Sequence, residues 1–445
     1  MVKRVPRRLP LGRDGEDGQG DEGDPTRDVR GPGGGVLLSV ALHGFPIDEA
    51  VLERLADLRP KRLALFPTPS PPVDRSRALR AFGGIEALYL AGWAWANLLH
   101  PGPAEDEARL ATALSSVREL HLPGLSPRSE ALTVFSNLQC LSVSHVRGWF
   151  RDERLAHLPI RALQVGHATN GVFDDVPDWT DLRSLVIGAP YPNANKSRPG
   201  PPSDPMDGLP ALARFPGLAR LVLDAPVPEG SYRVVAQAAP ALVHLSLRAD
   251  VTPADALAVA GLPRLRALAM LPREELNHGT RPPQRLSGIA RVLEAAPRLA
   301  ALGRDIWDLC SDLGEPLARL APRAVFVSGR HATGTTGRMT PARVAPLAAS
   351  RAPHLAFEHG WGLSLSAAGL RAAFPGTHLV TLSRAVHLRG RAALPLRDPE
   401  VSLVAGLARG GAARAMHPRF ADWAPLDGEA PGRAIERASI DGLAP

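Results

Sequence analysis

Hydrophobic positions recur along the chain in a fixed frame. The segment "AAPALVHLSLRA", residues 238–249, places three leucines in the pattern L-x-x-L-x-L behind a proline. Nearly the same frame returns in "FPGLARLVLDA" (215–225), "LPRLRALAM" (262–270) and "FSNLQCLSVSH" (135–145). A phrase that recurs in this way describes a repeated structural unit, and not one local element.

Each frame predicts a short strand with one apolar side. In "LVHLSL", Leu245 and Leu247 point to one side of an extended chain, while His244 and Ser246 point to the other. A single strand of this kind cannot bury its leucines alone. Stacking such strands about 4.8 Å apart would make one continuous apolar column, so we expect a parallel sheet.

The spacing of the frames is regular. Nine of the thirteen intervals between successive central residues are 21 to 25 residues long, within the 20 to 29 residue period of leucine-rich repeats. The last four frames fit less well, so the register there could shift. The central residues are Val40, Leu63, Leu88, Leu120, Leu141, Leu163, Leu185, Leu221, Leu245, Leu268, Leu302, Val325, Leu355 and Val380.

The segments between the strands predict short helices. "IDEAVLERLADL" (47–58) places Val51, Leu52, Leu55 and Leu58 on one stripe, with Asp48 as a suitable N-cap. Each predicted helix stops near the proline before the next strand, because proline disfavours the helical conformation of the residue before it. Similar helices are expected in "SYRVVAQAA", "PADALAVAG", "LSGIARVLEAA" and "LSAAGLRAAF".

With its repeated strand, turn, helix and turn, the chain resembles the leucine-rich repeat family over residues 36–385, in a bacterial-type form with degenerate repeats. The resemblance implies an α/β solenoid of about fourteen repeats, with a curved parallel sheet on the concave side and short helices and loops on the convex side. The asparagine that usually follows the frame is missing, so these turns need other hydrogen-bond partners. In its place stand Trp93, Leu125, Val146, Ala168, Pro190, Pro226 and Asp250.

The two ends of the chain break the repeat. Residues 1–35 hold seven basic and seven acidic side chains among many glycines, which predicts a disordered tail without the apolar core of a secretory signal. Residues 386–445 show no clear frame. We expect 386–425 to cap the last repeat, because a solenoid's exposed apolar column must be covered, and the remainder to be a loose tail.

Arginine dominates the positive charge. The net charge is +7, and only three of the 52 basic residues are lysine, a skew that GC-rich coding alone would produce. Two places before the central residue, the frame often carries arginine, which predicts a cationic stripe on the concave face that favours an acidic partner. An alternative is that these are ordinary charged positions at the surface. The arginines are Arg118, Arg161, Arg183, Arg266 and Arg323, alongside Lys61, Glu86 and Gln139.

Long insertions follow four of the strands, which would place them on one rim of the solenoid. Their aromatic and arginine side chains suit the anchoring of a partner, although they could also be loops without a role. The rim residues are Trp93, Trp95, Tyr191, Lys196, Arg198, His278, Arg281, Arg330 and Arg338.

The sequence contains only weak motifs for metal binding, phosphate binding or catalysis. His145 and His167 occupy equivalent phases but lack an evident carboxylate, so we expect no metal site. "GRHATGTTG" (329–337) has Thr335 where a phosphate-binding loop needs lysine. Two cysteines and the lack of an apolar span of 18 residues fit a cytoplasmic protein without a membrane segment. Neither a cofactor nor a catalytic group is implied.

The sequence therefore predicts a non-enzymatic scaffold that binds a protein through its concave face and its rim. Binding of nucleic acid or another polyanion along the arginine stripe is the alternative, although the charge density is low for it. A purely structural module in a larger assembly is a third interpretation. The oligomeric state and the identity of the partner do not follow from the sequence.

Overall fold

The structure is a computed structural model in which two compact units divide between Gly166 and His167. Each unit is described by itself. The described residues are 39–43, 49–66, 75–90, 104–122, 129–146, 148–167, 171–188, 208–271, 283–305, 313–322, 324–328, 345, 347–352, 354–358, 362–363, 374, 379–382 and 387–388.

The first unit contains six described strands that pair in parallel and follow chain order. Their central residues lie directly opposite one another, for example Leu120 beside Leu141 and Leu141 beside Leu163. The strands are β1 (Ser39–His43), β2 (Arg62–Phe66), β3 (Ala87–Leu90), β4 (Glu119–Leu122), β5 (Cys140–Val143) and β6 (Ala162–Val165).

The second unit repeats this arrangement with eight described strands in chain order. A short parallel pair accompanies them, in which Leu363 lies beside Leu388. The strands of the sheet are β7 (Ser184–Ile187), β8 (Arg220–Pro226), β9 (His244–Arg248), β10 (Ala267–Leu271), β11 (Ala301–Asp305), β12 (Ala324–Ser328), β13 (His354–Glu358) and β15 (Leu379–Leu382). The short pair is β14 (Gly362–Leu363) and β16 (His387–Leu388).

The register confirms the predicted frame within each unit. Val40 pairs with Leu63 at the start of the first unit, and Leu355 pairs with Val380 at the end of the second. The possible shift in the last four frames does not occur, since Leu302 lies opposite Val325 in the expected phase. From β1 to β12 a described helix or 3₁₀ turn stands between each strand and the next, so the fold is an α/β leucine-rich-repeat solenoid.

Short helices connect the strands, as predicted. In the first unit they are α1 (Glu49–Leu58), α2 (Arg75–Phe82), α3 (Ala104–Leu114), α4 (Ser129–Leu132) and α5 (Glu153–Ala156), with a 3₁₀ turn at Gly148–Arg151. In the second unit they are α6 (Val172–Asp175), α7 (Ser231–Ala238), α8 (Pro253–Gly261), α9 (Pro283–Ala295) and α10 (Gly314–Leu320), with a 3₁₀ turn at Leu209–Arg214.

Local sequence explains where these helices begin and end. Helix α8 begins behind Thr252, whose hydroxyl accepts from the backbone N–H of Asp255, while the Asp255 carboxylate accepts from the N–H of Thr252. This reciprocal pair is a capping box. Helices α7, α8 and α9 each end two residues before a proline, as the sequence predicts. In α1 the expected stripe is partly confirmed, because Leu52 and Leu55 are buried while Val51 and Leu58 are half-buried.

Backbone groups replace some of the missing asparagine contacts. The N–H of Val227, next to Pro226, donates to the carbonyl of Arg248 on the following strand (2.9 Å). In the first unit the N–H of Gly166 donates to the carbonyl of Val143 (2.8 Å). At these two turns, backbone N–H and carbonyl groups of neighbouring repeats therefore pair with each other through hydrogen bonds.

Both predicted chain ends lie largely outside the described residues. This holds for the charged tail at 1–35 and for the predicted cap from 386 onwards, except at His387–Leu388. Those two residues, which we expected to belong to the cap, form β16 and pair with β14. The predicted helix "LSAAGLRAAF" also lies outside the described residues, apart from the buried Phe374.

Candidate functional site

The predicted arginines that the structure describes lie directly before the strands. Arg118 immediately precedes β4, and Arg161 immediately precedes β6. Both side chains are exposed, as are those of Arg183 before β7 and Arg266 before β10. Each of these arginines lies two positions before a central leucine, and a stripe on the concave face stays a prediction.

In the first unit these positions form a regular line, which we call the strand-start row: Lys61, Glu86, Arg118, Gln139 and Arg161. Backbone bonds connect its members, since the N–H of Gln139 donates to Arg118 O (2.8 Å) and that of Arg161 donates to Gln139 O (2.7 Å). Arg118 and Arg161 are two strands apart, so their backbones are separated by about 9.6 Å. The sheet thus holds the backbones of the two arginines at a fixed separation.

The charges along this row are mixed. Lys61 Nζ lies 3.1 Å from Glu86 Oε1, and both side chains are about half exposed. Glu86 separates Lys61 from Arg118, and the neutral Gln139 separates Arg118 from Arg161. The row is therefore two arginines beside an ion pair, and not an uninterrupted cationic stripe.

In the second unit, the corresponding arginines also bind backbone of the next repeat. Arg183 Nη1 donates to Gly217 O (3.4 Å), and Arg266 Nη1 donates to Arg298 O (3.5 Å). The equivalent positions between them are Ala219 and Val243, which carry no charge. These arginines thus have a structural contact that the sequence did not indicate. Arg323 lies outside the described residues.

The side of the strands opposite the leucines carries a line of hydrogen-bonding groups in the first unit, which we call the polar row: Tyr89, His121, Ser142 and Gln164. Register pairs each with the next, from Tyr89 on β3 to Gln164 on β6. All four are buried, with Ser142 0% and Gln164 1% exposed. We had expected only one apolar side to be buried, so burial of this second side is a correction.

At the β3–β4 end of the polar row, the side chains lie close to one another and to a carboxylate. The rings of Tyr89 and His121 lie 6.0 Å apart between centroids, and His121 Nε2 lies 3.9 Å from Glu119 Oε2. Burial raises the pKa of the Tyr89 phenol, so this group stays protonated at neutral pH. At the other end, neither the hydroxyl of Ser142 nor the carboxamide of Gln164 has a hydrogen-bond partner within the described part of the chain.

The same side of the second unit is also buried, and it is more charged. His244 and Ser246, which we expected on the side away from the core, are 5% and 1% exposed. Ser246 lies between Val222 and Ala269 on the adjacent strands, and strands only about 4.8 Å apart let side chains shield one another. Arg248 Nη1 donates to the backbone carbonyl of Asp224 (3.3 Å).

The remaining predicted contact residues are those of the rim. The rim residues Trp93, Trp95, Tyr191, Arg281 and Arg330 lie outside the described residues. The same is true of Lys196, Arg198, His278, Arg338 and the loop at 329–337. The rim therefore stays a prediction.

No metal-binding group of three or more histidine, cysteine or carboxylate side chains occurs among the described residues. His145 and His167 are both half-buried. Within the described ranges, none of the helices has both the length and the apolar composition needed to cross a membrane.

Comparison with known proteins gives matches among solved structures. The leucine-rich repeat-containing protein LegL7 from Legionella pneumophila is 15% identical, with 69% of this chain and 91% of that chain covered and a TM-score of 0.35. TLR13, solved in a complex with ssRNA13, is 13% identical over 78% of this chain and 49% of that one, with a TM-score of 0.38. An internalin (inlF) from Listeria monocytogenes is 13% identical over 83% and 86%, with a TM-score of 0.27. No protein-family model and no curated protein matches the chain.

Proposed function

We propose that this protein is a non-enzymatic scaffold that binds an acidic segment of another protein. The observation that carries the proposal is the exposure of Arg118 and Arg161 on the strand-start row of the first unit. The backbone bonds between β4, β5 and β6 fix these two arginines relative to each other. A partner with carboxylates at a matching interval would meet a preformed cationic edge.

Arginine suits this role because its planar guanidinium binds a carboxylate through two parallel hydrogen bonds. A single exposed ion pair contributes only about 0–1 kcal/mol, so the arginines alone would give weak binding. Their main effect is on specificity and on the rate of association. The affinity must come from additional contacts, for which the rim residues Trp93, Trp95, Tyr191, Arg281 and Arg330 are the candidates.

The arrangement of charges favours a short acidic peptide over a nucleic acid. The Lys61–Glu86 ion pair beside Arg118 has no net charge, so the strand-start row offers no continuous cationic track for a phosphate backbone. An acidic peptide can place carboxylates at Arg118 and Arg161 and a neutral residue near Gln139. Binding of a nucleic acid would instead weaken by several orders of magnitude between low and physiological salt.

The test begins with co-purification from the native cell and mass spectrometry, followed by binding of the purified partner at several salt concentrations. Reversal of both charges, Arg118→Glu with Arg161→Glu, is expected to slow association at least tenfold. The matched control reverses two exposed helical arginines of the same unit, Arg80→Glu with Arg109→Glu, and so changes the net charge equally. If both double variants slow association equally, the effect comes from net charge alone and the proposed site is refuted.

A further inference from the structure

The strand-start row of the first unit repeats one backbone arrangement from each strand to the next. The carbonyl of Arg118 accepts from the N–H groups of Gln139 (2.8 Å) and Cys140 (2.9 Å). The carbonyl of Gln139 accepts in the same way from Arg161 (2.7 Å) and Ala162 (3.0 Å). Because the same pair of bonds recurs, the side chains of Arg118, Gln139 and Arg161 leave the backbone at equivalent points along one edge of the sheet.

Two positive charges in this row stand on either side of one neutral hydrogen-bonding group. Arg118 and Arg161 are exposed, and Gln139 between them is half-buried. A guanidinium offers only N–H donors, and a carboxamide adds further donors beside its oxygen. The three side chains can therefore direct donors at a single acceptor group that is placed at Gln139.

The neighbouring carboxylates are engaged elsewhere. Glu86, the only carboxylate in the row, lies with Oε1 3.1 Å from Lys61 Nζ, so its charge is offset. Glu119, which directly follows Arg118, has a side chain that is only 12% exposed, and its Oε2 lies 3.9 Å from His121 Nε2. Beyond the ion pair, the row thus holds two positive charges and no carboxylate.

An arginine at this position reaches across one interval between strands. In the second unit, Arg183 Nη1 donates to the carbonyl of Gly217 in the next repeat (3.4 Å). The interval between neighbouring strands is about 4.8 Å. Gln139 lies one such interval from Arg118 and one from Arg161. Both guanidinium groups can therefore reach a ligand at Gln139 from opposite sides.

A phosphate monoester matches this arrangement more closely than a carboxylate does. Its charge is about −1.5 to −2 at neutral pH, and its free oxygens are strong acceptors. Two guanidinium groups balance that charge, and the carboxamide supplies a donor to the oxygen between them. A carboxylate carries one negative charge and is satisfied by a single bidentate arginine, so it would leave the second arginine without a counter-charge.

We propose that Arg118, Gln139 and Arg161 bind one phosphorylated side chain in the acidic segment of the partner protein. The inference rests on the proposed function and names the chemical group that the segment presents. Each guanidinium donates to a phosphate oxygen from one side, while the carboxamide of Gln139 donates from the base of the site. Phosphorylation of the partner therefore switches on its binding to this scaffold.

The experiment uses the full chain and three synthetic libraries of twelve-residue peptides. Each library has one fixed central residue, which is phosphoserine, aspartate or serine, among random flanking residues. We expect the phosphoserine library to be retained at least tenfold more than the aspartate library, and the serine library to be retained least. The best phosphoserine peptide is then also synthesised with aspartate at the central position, and the affinities of both forms are measured by calorimetry.

The pH dependence of binding separates a phosphate from a carboxylate. The second pKa of a phosphate monoester is about 6, so the ligand changes from a monoanion to a dianion between about pH 5 and pH 7.5. Binding of the phosphopeptide should therefore strengthen severalfold as the pH rises over this range. The aspartate form stays ionised, because the pKa of aspartate is about 3.9. Its binding should change little, and it controls for titration of the protein itself.

Conservative variants identify the groups that hold the phosphate. Arg118→Lys and Arg161→Lys keep the positive charge but remove the planar pair of donors, so each should weaken phosphopeptide binding at least tenfold. Gln139→Met removes one hydrogen bond and should weaken it about fivefold. The matched controls Arg80→Lys and Gln237→Met alter exposed residues on α2 and α7 and should leave binding unchanged.

The outcomes separate this inference from the proposed function. Equal binding of the phosphoserine and aspartate forms, with loss of both in the double variant Arg118→Glu with Arg161→Glu, would overturn the phosphate site and leave the acidic-segment proposal standing. Phosphopeptide binding that survives both lysine variants and Gln139→Met would mean that the phosphate binds elsewhere, which refutes this inference. If no peptide is retained, whether or not inorganic phosphate or a single-stranded oligonucleotide binds the row, both proposals are wrong.

Discussion

A single methyl group added at Gly288 is expected to destabilise the second unit. Gly288 lies in α9 and is buried. A β-carbon at this position would lie 2.0 Å from the carbonyl oxygen of Val251 and 2.7 Å from its carbonyl carbon. Both distances are far below van der Waals contact, and both atoms are backbone. The helix therefore approaches the turn before α8 at a distance that only glycine permits.

The magnitude follows from two opposing effects of Gly288→Ala. Alanine is favoured over glycine inside a helix by about 1 kcal/mol. Overpacking costs about 1–3 kcal/mol, and the cost here is at the upper end because Val251 adjoins the capping box of α8 and cannot shift freely. We expect a net loss of about 2 kcal/mol, which lowers the melting temperature by about 4–8 °C in a unit of this size.

Gly261→Ala is the matched control. Gly261 ends α8 in the same unit, and a β-carbon there would have no neighbouring atom within 4 Å. This substitution should stabilise the protein by about 0.4–1 kcal/mol through the lower entropy of the unfolded chain. Urea denaturation followed by circular dichroism measures both variants. If Gly288→Ala is as stable as the wild type or more so, the close approach of α9 to Val251 is incorrect.

Three further substitutions test the packing and the helix ends. Leu245→Ala, at a fully buried position of β9, should cost about 2–5 kcal/mol by calorimetry, whereas a cost below 1 kcal/mol would contradict its place in the core. Thr252→Ala removes the N-cap of α8 and should cost about 1 kcal/mol in urea denaturation, and no change would mean that the capping box is not formed in solution. Arg298→Met removes donors to the carbonyls of Ala260 and Leu262, so amide exchange at the end of α8 should accelerate, with a loss of about 1–3 kcal/mol.

Much of the fold could be predicted because the frame repeats. A leucine such as Leu141, or in three strands a valine, recurs at the centre of each strand of the sheet, since every repeat must bury the same position against its neighbours. The structure confirms the expected register, even where the frame is least regular, as at Leu302. Prolines predicted the ends of several helices for the local reason that they restrict the residue before them.

The candidate site was predicted less well. Arg118 was assigned to the concave face from its place two residues before Leu120, whereas the structure shows only that it is exposed and directly precedes β4. The burial of Gln164 also did not follow from the pattern, which gives the direction of a side chain but not how far other groups shield it. The contacts of Arg183 and Arg266 with the next repeat depend on distances between repeats, which sequence spacing does not contain.

The strictly sequential order of strands has a consequence for how the molecule comes apart. Within a unit, an interior strand such as β9 exchanges backbone bonds only with β8 and β10. Loss of order is therefore expected to spread like the opening of a zipper, from an end or a weakened repeat toward its neighbours, and not as one concerted event. Amides in the middle of a unit should consequently be the last to exchange with solvent, whatever their own local sequence.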